Sequence, residues 1–241
     1  MNTAITTTKV SPMTDQFQHE RDERIAAAMR EQKEAERKDR LSSRMARSGL
    51  VGRMLECSFA NYRPFHPGQA DVLAACRKFA EENDFRSGGG LWLIGPVGTG
   101  KTHLGSAMVN HVIQERDLGA RIFSSRQIVR MLRATWGSSG FQASAWDRPE
   151  TESELIASLG SDALLVIDEV GASMGTDAER LQLFEVIDSR YAMQRPTVLL
   201  SNLAINDIKA SVGERSFDRL REGAKSLKCN WPSHRGGAVE C

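Results

Sequence analysis

The sequence is poor in cysteine and scatters what it has: Cys57, Cys76, Cys229 and Cys241 include no C-x-x-C pair. That spacing excludes a zinc ribbon or a disulfide framework as the organising feature. Long apolar runs are missing too. The strongest, Leu91 to Ile94 and Ala163 to Ile167, are far shorter than the about 20 residues that cross a bilayer, and the opening MNTAITTTKVSPMTDQ has no apolar stretch of a secretory signal. A cytoplasmic protein with no membrane partner is expected. Nor does one sign of charge dominate, since 32 basic side chains face 31 acidic ones; any affinity for nucleic acid must come from local patches.

What is present is ordinary for a folded chain: 40% apolar and 26% charged residues, which argues against wholesale disorder. At 241 residues the chain exceeds a single domain of about 150 residues, so one core with an appendage is expected. Residues 1–14 are Thr-rich and aperiodic and read as a frayed tail. Residues 15–48 read as a charged helical arm: Asp15 to Arg47 contains no Gly or Pro, and Glu20/Arg24, Glu34/Lys38 and Glu36/Arg40 are acid-before-base pairs at i,i+4. Its apolar residues (Phe17, Ile25, Met29, Leu41, Met45) are too sparse for a core stripe. A solvated helix and a partner-binding helix are both consistent with that pattern. The remainder, 49–241, alternates short apolar runs with helical stretches, the runs falling at 91–94, 121–123, 163–167, 197–200 and 227–231. This alternation predicts an α/β fold with a parallel sheet covered by helices on both faces.

The sharpest signal is Gly95-Pro96-Val97-Gly98-Thr99-Gly100-Lys101-Thr102, directly after the run LWLI and before the helical stretch His103 to Gln114. This is an intact phosphate loop in its required context. Glycines let backbone N–H groups wrap an anion, and the following helix adds its positive end. Lys101 is expected to neutralise the β- and γ-phosphates of ATP, and Thr102 to ligate Mg²⁺. A second run, Ala163 to Ile167, ends in Asp168-Glu169. Ligands of open α/β sheets lie at the carboxyl ends of strands, so Asp168 is expected on the Mg²⁺ and Glu169 on the attacking water. After the run 197–200 comes Ser201-Asn202, where the Asn202 amide either orients that water or serves as a turn residue. Thr176-x-x-Glu179 opens a helix whose Leu181, Phe184, Ile187 and Tyr191 are expected in the core.

Two sets of arginines stand out. Arg215 and Arg219 lie one helical turn apart in GERSFDRLREG; a guanidinium offered to a neighbour's γ-phosphate would make hydrolysis depend on assembly. On spacing alone, a solvated helix with Arg219 paired to Glu222 is the simpler reading. Arg126, Arg130 and Arg133 form a basic stripe on the stretch Ser125 to Trp136, and the following loop adds Phe141 and Trp146. Cations beside rings are the ingredients of single-stranded DNA binding, and an exposed helix with Trp136 in the core matches the composition equally well.

Taken in order, Arg47-Ser48-Gly49, CSFANYR (57–63), GPVGTGKTH, LLVIDEVG, SNL, GERSFDRLREG and CNWPSHR resemble the DnaC family of bacterial replicative helicase loaders over about residues 43 to 236. The resemblance implies an AAA+ fold with Lys101, Thr102, Asp168 and Glu169 as Walker residues and His103 beside them. It further implies Asn202 as sensor 1, Arg219 as arginine finger with Arg215 in reserve, Arg235 as sensor 2, and an extra helix near Arg126 to Trp136 that touches single-stranded DNA. Its partners would be a DnaB-type helicase, single-stranded DNA and further copies of the chain. Residues before Ser43 match no loader arm, and Pro232 stands where an acid is expected in the last motif. An IstB-type transposition helper is the alternative client for the same core; a small-molecule kinase is a weaker reading, because adjacent Asp168-Glu169 and a late arginine pair suit an assembling ATPase, and a non-hydrolysing adaptor is separated from these by ATP turnover.

Overall fold

Five strands form at the five apolar runs: β1 (Gly90–Ile94), β2 (Ala120–Ser124), β3 (Leu164–Asp168), β4 (Thr197–Ser201) and β5 (Ala224–Lys228). The computed structural model describes residues 12–137, 151–171 and 176–234. The strands make one parallel sheet in the order β2-β3-β4-β1-β5, so all their carboxyl ends lie along one edge. Residues of β1, β3 and β4 are almost wholly buried, as a sheet covered on both faces requires. β5 starts three residues before the expected run. It is an edge strand in which only Leu227 is buried, so apolar content marks it poorly.

Helix α2 (Pro67–Glu82) precedes β1, and helices occupy the crossovers: α3 (Lys101–Gln114), α4 (Ser125–Ala134), α5 (Glu152–Ser161), α6 (Asp177–Ala192), α7 (Ile205–Val212) and α8 (Glu214–Arg221). Capping boxes start four of them, on His66/Gln69, Ser124/Gln127, Thr151/Glu154 and Thr176/Glu179. Each satisfies backbone donors that a helix start leaves open. Helix α6 turns a different face inward than its spacing suggested. Leu183, Val186, Ile187 and Arg190 are buried, whereas Leu181 and Tyr191 are 58% and 43% exposed.

The reason is Arg190, which the core accepts because every arm of its guanidinium is used. Nε donates to Thr197 Oγ1 at 3.0 Å, Nη1 to the carbonyls of Leu159 and Asp162 at 2.6 and 3.0 Å, and Nη2 to Pro196 O at 2.6 Å. Burial pulls its pKa down to about 9, the cost of placing a cation there. The side chain thereby ties α5, α6 and β4 together.

Compactness divides the chain into residues 1–42 and 43–241. The first helix, α1 (Pro12–Arg47), begins inside the stretch expected to fray. Within the second unit the residues after Ser43 already belong to the globular part: Ser48 is buried and its carbonyl accepts from Ile122 N at 2.8 Å. Gly49 follows at φ 78, and a Cβ there would meet Ile122 O at 2.1 Å, so only glycine lets the chain run this close to β2. Among the described residues no helix is long and apolar enough to cross a membrane.

Candidate nucleotide site

The phosphate loop leaves the carboxyl end of β1 through Gly95. A Cβ there would lie 2.3 Å from Cys229 O, so the loop can pass the end of β5 only without a side chain. Gly98 and Gly100 take φ of 84 and 88, left-handed values that favour glycine, and Gly100 is the residue from which α3 starts. Lys101 folds back over this turn. Its Nζ donates to the carbonyls of Gly95 and Pro96, both at 2.7 Å, and reaches Thr99 Oγ1 at 3.3 Å. Burial lowers its pKa, which means its charge is short of solvation.

Across the sheet edge, Thr102 Oγ1 donates to Asp168 Oδ2 at 2.8 Å. The expected hydroxyl–carboxylate pair is therefore assembled from α3 and β3. Asp168 is pushed up by burial, against the opposing hydrogen bonds from Thr102 and the Glu169 backbone. A half-buried lysine and a half-buried carboxylate, both undersolvated, suit an anion and a divalent cation placed between them. Two hard oxygen donors on one side match the way Mg²⁺ is held, with phosphates and water completing its shell. The residues present thus fit Mg²⁺ together with a triphosphate.

Glu169 has φ 52, a left-handed conformation unusual for a residue with a side chain. Two contacts hold it: its N–H donates to Asp168 Oδ1 at 2.7 Å, and its carbonyl accepts from Ser125 Oγ at 3.3 Å. Its carboxylate is exposed, turned out of the sheet while Asp168 is turned in. Strain of this kind at a strand end belongs with function. Asn202 is exposed immediately after β4, and the strand end below it is pinned by Ser201 Oγ donating to Val170 O at 2.7 Å. Ser125 and Ser201, both buried, had no signal in the sequence beyond their place at strand ends.

Aromatic side chains frame the loop from two distant stretches, and sequence reasoning gave them no role. Tyr62 OH approaches Thr99 O at 3.4 Å, and the indole N–H of Trp231 donates to the same carbonyl at 3.0 Å. His66 stacks on Trp231 and Tyr62 meets His103 edge-on. His103 Nε2 faces two acceptors, Ser58 O at 3.1 Å and Asn61 Oδ1 at 3.0 Å, so that nitrogen carries the proton. The motifs CSFANYR and CNWPSHR therefore meet on the phosphate loop. His234 N donates to Gly98 O at 3.0 Å, so the chain reaches the loop just before Arg235, which itself lies outside the described residues.

The remaining candidates do not join this cluster within one protomer. Arg219 is half-buried on α8, where it pairs with Asp188 and lies over the rings of Phe184 and Tyr191 at 4.9 and 5.3 Å. The expected pair with Glu222 does not form; Glu222 accepts from Tyr191 OH at 2.8 Å instead. Arg215 is exposed and makes no hydrogen bond or ion pair among the described residues. Trp92 and Phe217, edge-on at 5.3 Å, and the indole of Trp92 on Leu220 O at 3.2 Å dock α8 on β1. On α4, Ile128, Val129 and Leu132 are buried while Arg126, Arg130 and Arg133 are exposed. Arg133 pairs with Glu179 at 3.2 Å. Trp136 is 58% exposed, not a core residue, with its indole on Glu152 Oε2 at 2.8 Å. Phe141 and Trp146 lie outside the described residues.

Comparison with known proteins places this geometry. A family model described as IstB-like ATP binding protein matches residues 5–235, and so extends into the arm. The chain is 33% identical over 193 residues to the replicative helicase loader DnaC of Buchnera aphidicola subsp. Schizaphis graminum, covering 79% of this chain and 74% of that one. It is 32% identical over 190 residues to DnaC of Escherichia coli K12, covering 78% and 73%. Among solved structures, a DnaC helicase loader superposes with a TM-score of 0.64 at 20% identity over 74% of this chain and 99% of that one. The replication initiator DnaA bound to AMPPCP and single-stranded DNA superposes at 0.57 and 19% identity over 72% and 49%. At these identities the structural matches establish the AAA+ fold.

Proposed function

The chain belongs to the IstB-like ATP-binding family and to the DnaC group of replicative helicase loaders within its reach, and from that premise we propose that it is an ATP-hydrolysing loader of the DnaB-type helicase. In this reading it acts in the cytoplasm and delivers the helicase onto single-stranded DNA. The observation that carries it is the Thr102–Asp168 bond at 2.8 Å beside an outward-turned Glu169: one residue pair for the metal, one carboxylate left over for water.

ATP is the substrate, and Lys101, released from the Gly95 and Pro96 carbonyls, supplies the cation for its β- and γ-phosphates. Thr102 and Asp168 would hold Mg²⁺, which would neutralise charge on the phosphate oxygens. Glu169 orients the attacking water and accepts its proton, and the Asn202 amide steadies the same water. Arg235 is the second sensor in this reading, next in sequence to His234, whose N–H donates to Gly98 O. Helix α8 contributes a guanidinium to the neighbouring protomer, Arg219 after leaving Asp188, or Arg215, which is already unpaired. Assembly then gates hydrolysis, and the two nucleotide states differ in their affinity for helicase and DNA. The face bearing Arg126, Arg130 and Arg133 with Trp136 takes the strand, phosphates on the cations and a base on the exposed ring. The arm captures the helicase. The family description also fits a transposition helper with this same ATP site, and the arm's client separates the two.

The test is ATP turnover with and without single-stranded DNA. Glu169→Gln is expected to retain nucleotide binding and to lower turnover roughly 100-fold or more, as for loss of a general base. Turnover unchanged in that variant would take the water-orienting role from Glu169, and absence of turnover in the wild-type chain would leave a nucleotide-binding adaptor.

A further inference from the structure

At the edge of the sheet opposite the phosphate loop, where β2 and β3 begin, lies a cavity of about 710 Å³. Six arginines line it, Arg44, Arg47, Arg86, Arg116, Arg121 and Arg195, against two carboxylates, Asp84 and Asp162. Three of the six are committed to the fold. Arg44 pairs with Asp117; Arg116 donates to the carbonyls of Ala80, Glu81 and Asn83; Arg121 pairs with Asp162 at 2.7 Å and donates to Ser158. The other three are not fully used. The guanidinium groups of Arg47 and Arg86 are exposed and make no hydrogen bond or ion pair among the described residues. Arg195 donates through Nη1 to Phe85 O at 2.8 Å, while its Nε is buried without a partner. The buried cation of Arg190 adds to the same neighbourhood, since its charge is felt alongside those of Arg121 and Arg195 at Asp162.

Like charges gathered on one concave surface repel at close range, and nothing in the nucleotide chemistry at the far edge uses them. Guanidinium forks match phosphate oxygens two at a time. The volume lies within the 300–1,000 Å³ typical of small-molecule pockets. A nucleic-acid strand would call for exposed rings on which bases stack, but the one lining ring, Phe85, is buried and already covered by Arg116 at 5.5 Å. We propose that this cavity is a second anion site, separate from the phosphate loop, which takes a small polyphosphorylated molecule on Arg47, Arg86 and Arg195.

The probe is inorganic tripolyphosphate, titrated by calorimetry into the full chain with the phosphate loop first saturated by Mg²⁺ and a non-hydrolysable ATP analogue. One further molar equivalent is expected to bind. The double variant Arg47→Ala/Arg86→Ala is expected to weaken it roughly tenfold or more while analogue affinity and thermal midpoint stay at their wild-type values. The Arg47→Lys/Arg86→Lys variant is expected to recover part of the loss. Absence of tripolyphosphate binding once the loop is filled, or equal affinity in the alanine variant, would overturn the proposal. So would a single-stranded oligonucleotide that binds through Arg47 and Arg86 where tripolyphosphate does not, which would make the cavity part of a nucleic-acid surface.

Discussion

At the phosphate loop Lys101, Thr102 and Asp168 all have partners inside the chain, whereas along the arm Ile25 and Met29 are 48% and 67% exposed. Two of the arm's polar contacts stay within one turn of its helix, His19 with Glu23 at 3.2 Å and Gln32 with Glu36 at 3.0 Å. The first region is built to be correct before anything binds: strand ends, glycines and buried serines set the positions of the reacting groups. A helix this polar buries little of its own surface, and it owes its persistence to propensity and i,i+4 pairs that are each weak. The contrast is consistent with the proposed division, chemistry in one region and partner capture in the other.

The largest expected effect comes from emptying the first region. Lys101→Ala should weaken ATP affinity at least roughly 100-fold, as for loss of a charge-assisted phosphate contact, and so abolish turnover; wild-type affinity in a binding titration would remove the phosphate-loop assignment. Next come the arginines of α8. A finger variant should keep ATP binding, lower turnover roughly 1,000-fold, and regain activity when mixed with the Lys101→Ala chain, whose finger is intact. Arg219→Ala should also lower the thermal midpoint by losing Asp188, Phe184 and Tyr191, whereas Arg215→Ala should not. If neither variant is rescued by mixing, no guanidinium of α8 acts between protomers.

Arg190→Met sharpens the contrast from the side of stability. Four polar groups around that guanidinium lose their donor, and denaturant titration should show a loss of about 3 kcal/mol; a change under about 0.5 kcal/mol would mean the core repacks around it. The smallest effect on the core comes from deleting residues 1–42. Unfolding free energy of the ATPase unit should change by less than about 0.5 kcal/mol and ATP affinity should hold, while helicase capture is lost. Retained capture would move the partner site into the core.

Most of the nucleotide site was legible because its chemistry demands fixed residue types at fixed offsets. The glycines of the phosphate loop, Lys101 and Thr102 follow from the backbone path around phosphates, and Asp168-Glu169 from an apolar strand that ends at the same sheet edge. The sheet was legible for the same reason, except at β5, where an edge strand needs little apolar content. What escaped depended on contacts between distant stretches. Tyr62 and Trp231 meet at Thr99 across 37 and 132 residues of chain, and no local pattern announces that. Periodicity misplaced the inward face of α6 because a buried arginine broke the apolar pattern, so Leu181 and Tyr191 counted toward the core while Arg190 did not. Composition leaves Trp136 open between a core ring and a strand-binding ring, and only its exposure, with the indole N–H on Glu152, removes the first. The arginine-lined cavity was invisible because its six cations come from five separate stretches of chain.

In the proposed function one nucleotide site controls one partner. Co-purification of the full chain with the host's replicative helicase, in ATP and in ADP, tests that coupling directly. A complex retained in ATP and weakened in ADP, with Glu169→Gln locking it in the retained state, is the predicted result; no complex in either nucleotide, or one indifferent to which is present, would contradict it.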